Sequence, residues 1–351
     1  ESGEERLSES VRGLDATWKN RRFRHELVRQ ALSALHLFER DVDYLVRDGE
    51  VVLIDQSTGR VMPDRKLQHG LHQMLEVKEQ CELSGRSETL SSMSFQTFFA
   101  RYKHLCGMTG TASEASGELR RVYGLAVVEV PTHNPDQRLA CPARFAEDQQ
   151  QHQRLLLDAV SERHSSGQPV LVGTRSLAQS EALSEQLNQA HLLHTVLNAR
   201  QDEDEAAVVS RAGARGAITI ATNIAGRGTD IPVSKSVGDL GGLHVIVAEL
   251  NDNARVDRQL VGRCGRQGDP GSYEYLLSLD DALLQRYAAS QLRWVIRVKS
   301  MTGDWAWYRL CMVLARRIQN SHERRQRMAR KQVAAADRQM QKRLSFTGYK
   351  E

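Results

Sequence analysis

A chain of 351 residues, 40% hydrophobic and 26% charged, is long enough for two or three domains with sizeable cores and has the composition of an ordinary globular protein. No apolar run approaches the roughly 18 residues that a membrane-spanning helix needs, and the opening "ESGEERLSES" has neither an initiator Met nor an apolar stretch, which argues against a signal peptide and for a fragment or processed chain. The net charge of +4 is uneven: residues 301–351 hold twelve Lys and Arg against four Asp and Glu, a net of +8, so the preceding 300 residues carry −4.

In chain order, Leu7 to Phe38 has a helical pattern, with Leu27, Ala31, Ala34, Leu35 and Phe38 on one face. "DYLVRDGEVVLIDQ" reads as a β-hairpin turning at Gly49, and "STGRVMPDRK" as a polar loop. Leu71 to Lys78 is helical again, with Glu76, Lys78 and Glu79 read as a solvated face. "SFQTFFARYKHL" predicts an amphipathic helix, "CGMTGTA" a strand end running into a Gly/Thr loop, and "VVEVPTHNP" a strand stopped by Pro131 and Pro135.

Residues 150–280 alternate regularly. Helices over Gln151–Arg163, Leu177–Gln189, Glu203–Ala212 and Arg255–Val261 separate the apolar runs "PVLVGT", "HTVLNA", "AITIAT", "LHVIVAE" and "YEYLLS". Short, continuously apolar strands between helices predict a parallel α/β sheet covered on both faces. From Asp281 the pattern is helical, with Trp307, Cys311, Leu314 and Ile318 at spacings of three or four, followed by a long basic helix. The five cysteines include no CxxC pair, so buried thiols are expected rather than disulfides or a zinc site.

Two loops at strand ends carry chemistry. "ATNIAGRGTDIP" holds Gly226, Arg227, Gly228 and Asp230, and "QLVGRCGRQGDPGS" holds Arg263, Arg266 and Gln267 among four glycines. Arginines three apart project to nearly the same side of a helix or turn, and planar guanidiniums suit phosphate oxygens. Gln267 is placed to orient a water or to bond a phosphate. One such loop alone is as readily a solvated Arg/Gly turn; two on one sheet favour half of a nucleotide site. The sequence contains no GxxxxGK[ST] loop to cradle a β-phosphate. "VVLIDQ" comes nearest to a magnesium-binding acidic strand, but has Gln56 where a second carboxylate is needed.

"LFERDVDYLV", "GLHQMLEVKE", "GMTGTA", "ATNIAGRGTDI", "GGLHVI" and "DRQLVGRCGRQGDPGS" resemble, in the same order, segments of the SecA preprotein translocase ATPase family, over about residues 30 to 285. The resemblance implies RecA-like (P-loop NTPase or helicase-type) folds, a small inserted α+β domain and a C-terminal helical scaffold. It divides the chain into a partial preprotein-binding domain (1–70), the tail of a first nucleotide-binding fold (71–135), a second RecA-like fold (136–285) and a helical scaffold with a basic tail (286–351). It implies ATP and Mg2+ shared with a first fold N-terminal to Glu1. Gly226, Arg227, Gly228, Asp230, Thr109, Gly110 and Thr111 are the implied nucleotide-binding residues; Arg263, Arg266 and Gln267 are the implied catalytic ones, the arginines acting in trans. Implied partners are unfolded preproteins, the Sec channel and anionic lipids at the cytoplasmic face of the bacterial inner membrane, with a homodimer left open.

Three positions depart from the family pattern: Gln56 replaces a glutamate, Ala254 precedes Arg255 where two arginines are usual, and Pro232 follows "RGTDI" where leucine is usual. With the ending "RLSFTGYKE" they point to a shortened variant. Two alternatives stay open: a nucleic-acid helicase, disfavoured by the slightly acidic body and the 5% aromatic content, and a non-catalytic binding protein of the same fold.

Overall fold

The computed structural model describes residues 20–54, 61–62, 64–68, 70–85, 93–175, 177–197, 205–222, 230–301 and 303–345. The chain forms two compact units, Glu1–Leu90 and Ser91–Glu351.

In the first unit, helix α1 (Arg21–His36) begins where Asn20 Oδ1 accepts from the backbone of Arg22 and Phe23 at 3.1 and 3.4 Å. The expected hairpin is present as β1 (Tyr44–Arg47) and β2 (Glu50–Ile54), with Asp48 and Gly49 at φ 53° and 80° supplying the two left-handed residues of a tight turn. Part of the expected polar loop is instead β3 (Val61–Met62), antiparallel to β2, where it covers the edge of β2 that β1 leaves open. Helix α2 (Leu71–Lys78) adds Leu75 to a core of Ala34, Tyr44, Val51 and Leu53.

The charges of α2 are not a solvated face. Glu76 is buried, accepts from Ser84 N at 2.9 Å and stands 3.4 Å from His72, whose burial lowers its pKa and favours the neutral imidazole. Glu79 accepts from the Tyr44 hydroxyl at 2.7 Å, and Lys78 Nζ reaches Ala34 O and Phe38 O at 3.0 and 2.8 Å, where the last carbonyls of α1 lack helical partners.

The second unit opens with α3 (Phe95–Phe99), only five residues of the longer helix expected there. Helix α4 (Ser116–Tyr123) follows, capped by Gly124 at φ 71°. "VVEVPTHNP" forms no strand: Val128 and Val130 are 78% and 81% exposed. Strands β4 (Arg138–Ala140) and β5 (Arg144–Ala146) come just after it, then α5 (Gln149–Ser165), β6 (Val170–Thr174), α6 (Leu177–Gln189), β7 (Thr195–Leu197), α7 (Glu205–Arg211), β8 (Ile218–Thr222), α8 (Lys235–Gly238), β9 (Leu243–Val247), α9 (Ala254–Val261) and β10 (Gly271–Ser278). The sheet order is β4-β10-β9-β6-β8-β7, with β5 also paired to β10, and every pairing is parallel.

Both faces are buried, as the continuous apolar runs require. Val170, Val172, Ile218, Ile220 and Ile246 pack with Leu156 and Val160 of α5 and Leu183 and Leu187 of α6. Leu171, Val245, Val247 and Ala221 pack on the other face with Val209 of α7 and Leu260 and Val261 of α9. A Cβ on Gly173 would stand 2.0 Å from the Leu260 side chain, so α9 lies close against β6.

Helices α10 (Ala282–Val298) and α11 (Asp304–Ser345) complete the unit. Trp307 is fully buried, its indole donates to Val295 O at 3.0 Å, and it packs with Leu284, Leu292, Cys311 and Ile318, the spacing read from the sequence. At 42 residues α11 is about 63 Å long. Among the described residues no helix is long and apolar enough to cross a membrane. Cys264 and Cys311 are buried, Cys81 and Cys141 half-buried, and Cys106 is exposed, contrary to the expectation that every thiol is buried.

Candidate functional site

Parallel sheets gather their ligand-binding loops at the carboxyl ends of the strands. There, the Thr222 hydroxyl at the end of β8 donates to Leu197 O at the end of β7, 3.4 Å away. The expected Gly226, Arg227 and Gly228 lie outside the described residues, which resume at the exposed Asp230.

Arg263, Arg266 and Gln267 belong to the turn between α9 and β10. Helix α9 stops at Gly262, and Gly265 (φ 61°), Gln267 (φ 53°) and Gly268 (φ 88°) are left-handed. Gly265 is needed for space as well as for backbone freedom, since a Cβ there would stand 2.2 Å from Arg138 Cγ. Gln267 has no such excuse for a left-handed backbone; its carbonyl accepts from Asn134 Nδ2 at 2.6 Å, which holds the conformation in place. Cys264 anchors the turn in the core, and burial pushes its thiol up to about 11, which makes it an inert group.

This turn meets the post-β8 segment. Arg266 Nη1 donates to Asp230 Oδ1 at 2.7 Å and Arg266 Nε to Gly262 O at 3.2 Å. Arg263 is half-buried and lines a small cavity with Leu197, Thr222, Val209 and Ile231. Two residues 36 positions apart in sequence are therefore in direct contact, with the second guanidinium three residues earlier on the same turn. This turn leads into the amino end of β10, beside Asn134, which precedes β4, and Arg138 of β4, and not to the carboxyl ends where the sequence pattern placed both loops. Gln267 is exposed.

Thr109, Gly110 and Thr111 do not join the arginines directly; they sit against α9. Thr111 is buried, bonds Thr109 Oγ1 through its own N–H at 3.3 Å, and accepts from Gln259 Nε2 at 3.5 Å. Gly110 faces open space. Glu114, just beyond, pairs with Arg258. Gln259 lies one helical turn before Arg263, so the Gly/Thr loop touches the helix that carries the arginines.

The other end of α9 holds residues that the sequence reading missed. Asp257 accepts from Asn251 Nδ2 at 2.7 Å and from Gln319 Nε2 of α11 at 2.7 Å. Burial pushes its carboxyl up to about 6, against the downward pull of those hydrogen bonds. The available signal was an aspartate in the first turns of a helix, six residues after an asparagine.

Chemically, two guanidiniums and one carboxylate on glycine-rich turns leave a net positive surface suited to the outer phosphates of a nucleotide. Among the described residues no cluster of three or more His, Cys, Asp or Glu is arranged to hold a metal ion. The site thus fits the phosphate end of a nucleotide, while the described residues supply no cage for Mg2+.

A parallel sheet sandwiched between helices, with an arginine turn that meets the segment after β8, is the architecture of a RecA-like domain of the P-loop NTPase class. The model of the SecA P-loop domain matches residues 143–238 and 233–304, and that of the SecA preprotein cross-linking domain matches residues 1–76. The chain belongs to the SecA family. It is 46% identical over 352 residues to the protein translocase subunit SecA 3 of Magnetococcus marinus, covering 100% of this chain and 54% of that protein. It is 46% identical over 348 residues to the protein translocase subunit SecA 2 of Bordetella avium, covering 99% and 53%. The chain thus spans about half the length of these curated relatives. Among solved structures, the DEAD-box protein SrmB of E. coli aligns at 22% identity over 45% of this chain and 84% of that one, with a TM-score of 0.32, too loose to bear on function.

Proposed function

We propose that this chain supplies the arginine-bearing wall of the ATP site in a SecA-type motor that moves unfolded preproteins through the Sec channel. Residues 136–285 act as the second nucleotide-binding fold, 1–70 as part of the preprotein-binding domain, 71–135 as the tail of the first fold and 286–351 as the scaffold. The observation that carries this reading is the Arg266–Asp230 contact at 2.7 Å, which joins the arginine turn to the segment that follows β8.

ATP is the substrate. Arg263 and Arg266 stabilise the charge that spreads over the transferred phosphoryl group, and Asp230 orients Arg266 until the phosphate takes its place. Gln267, exposed on the same turn, bonds a phosphate oxygen or the attacking water. Arg227, with Gly226 and Gly228, completes the nucleotide contacts from the β8 loop. The Gly/Thr loop of Thr109–Thr111 reports the nucleotide state to α9 through Gln259. Mg2+ and the β-phosphate would be held by an opposing fold, and the 351-residue chain alone is expected to turn over ATP negligibly.

The basic part of α11 meets anionic headgroups at the cytoplasmic face of the inner membrane. The relatives' printed name, protein translocase subunit, supports the translocation reading. The test is ATP turnover of the full-length protein with a preprotein and channel-bearing vesicles, against turnover with single-stranded RNA. Stimulation of at least about tenfold by the first and none by the second is expected. Stimulation by RNA alone contradicts the proposal, and no turnover under any condition reduces the chain to a binding protein.

A further inference from the structure

Helix α9 is held at its N-terminus by the long helix. Asn253, in the cap position, makes no side-chain bond to the first turn. Two residues one turn apart on α11 take over. Glu323 Oε1 accepts from Ala254 N at 2.7 Å. Gln319 Nε2 donates both to Asp257 Oδ2 at 2.7 Å and to Asn251 O at 2.8 Å. The other carboxylate oxygen, Asp257 Oδ1, accepts from Asn251 N at 3.0 Å and Asn251 Nδ2 at 2.7 Å. Asp257, Asn251 and Gln319 are 2–3% exposed, so these bonds are shielded from water.

A carboxylate is the side chain that fits. It accepts on both oxygens, and three N–H groups converge on it. An asparagine turns one NH2 toward a donor and forfeits at least one bond. An apolar residue of the same size is cheaper to bury, but carries no direction. The carboxylate thus fixes the register of α9 against α11. Helix α9 is two turns long, about 12 Å. Its far end leads through Gly262 to Arg263 and, past the left-handed Gly265, to Arg266.

We propose that Asp257 is a positioning residue. Through Gln319 it makes α11 set the placement of α9, and with it of Arg263 and Arg266, so that movement of the long helix and readiness of the arginines change together. Asp257 touches no phosphate itself. The proposal rests on the role given above to the arginines.

The test is a double-mutant cycle in the full-length protein, with turnover and melting temperature measured for wild type, Asp257→Asn, Arg266→Lys and the pair. Asp257→Asn alone is expected to cut turnover by about 10- to 100-fold, the scale of a small misplacement in an active site. In the Arg266→Lys background it should cut turnover by a clearly smaller factor, because one of the two guanidiniums it positions is already gone. A purely structural Asp257 lowers turnover by the same factor in both backgrounds; that result, or wild-type turnover in Asp257→Asn, overturns the proposal. Should Asp257→Asn not fold, Gln319→Ala enters the same cycle from the α11 side with the same expectation. Wild-type turnover in Arg266→Lys sinks the function proposed above, and this inference with it. Impaired Arg266→Lys with an additive cycle sinks this inference alone.

Discussion

Arg266 and Asp230 meet through a 2.7 Å ion pair that joins the turn after α9 to the segment after β8. Their side chains are 36% and 57% exposed, so the pair is worth little to stability, at most about 1 kcal/mol. Its value is orientation. Asp230→Ala should therefore leave the melting temperature within about 2 °C of wild type while slowing ATP turnover of the full-length protein by about 10- to 100-fold. Melting and steady-state turnover on the same preparation decide it; a large loss of stability, or unchanged turnover, contradicts the assignment.

The arginine turn depends on Gly265. Alanine there adds a left-handed penalty of about 1–2 kcal/mol, and its methyl meets Arg138 Cγ at 2.2 Å, so Arg138 must shift from Asp136, to which its Nε donates at 2.8 Å. Gly265→Ala should lower the melting temperature of this unit by about 3–8 °C and lower turnover too. Wild-type melting shows that the turn tolerates a side chain.

Asp257 gives a pH signature. Its carboxyl is raised to about 6 from an unfolded value of 3.8, so between those values the native state binds the extra proton. Its contribution to stability is complete below about pH 4 and is lost as the pH rises through about 6, on the order of 3 kcal/mol in total. The groups that act on it are Asn251, Gln319 of α11 and Asp281 at the head of α10, with Tyr275 of β10 also close enough to feel its charge; Arg258, Arg316 and Glu323 line a cavity with it. Denaturant unfolding of wild type and Asp257→Asn between pH 4 and 8 isolates the effect: the stability of wild type relative to the variant should fall across this window, and a flat difference contradicts the shift.

The parallel sheet was legible because burial on both faces leaves continuous apolar runs such as "VLV" and "ITI". What needed a partner was not legible. Val128 and Val130 alternate like a strand, yet no strand among the described residues pairs with them, whereas Arg138–Ala140 and Arg144–Ala146 are strands with β10 beside them. Glu76 read as a surface charge because its burial and its bond from Ser84 N come from the fold; only His72, four residues earlier on the same helix, was legible from spacing. The same holds at the site. Glycine and arginine content marked both loops, but the meeting of Arg266 with Asp230, and of Asp257 with Gln319 some 62 residues on, is a product of sheet order and helix packing.

The central claim is that Arg263 and Arg266 form one wall of an ATP site. The most direct measurement is the turnover number of full-length Arg263→Ala and Arg266→Ala with preprotein and channel vesicles, with melting recorded alongside. The account predicts a loss of about 10³-fold or more in each, with melting close to wild type. Wild-type turnover in both variants contradicts it.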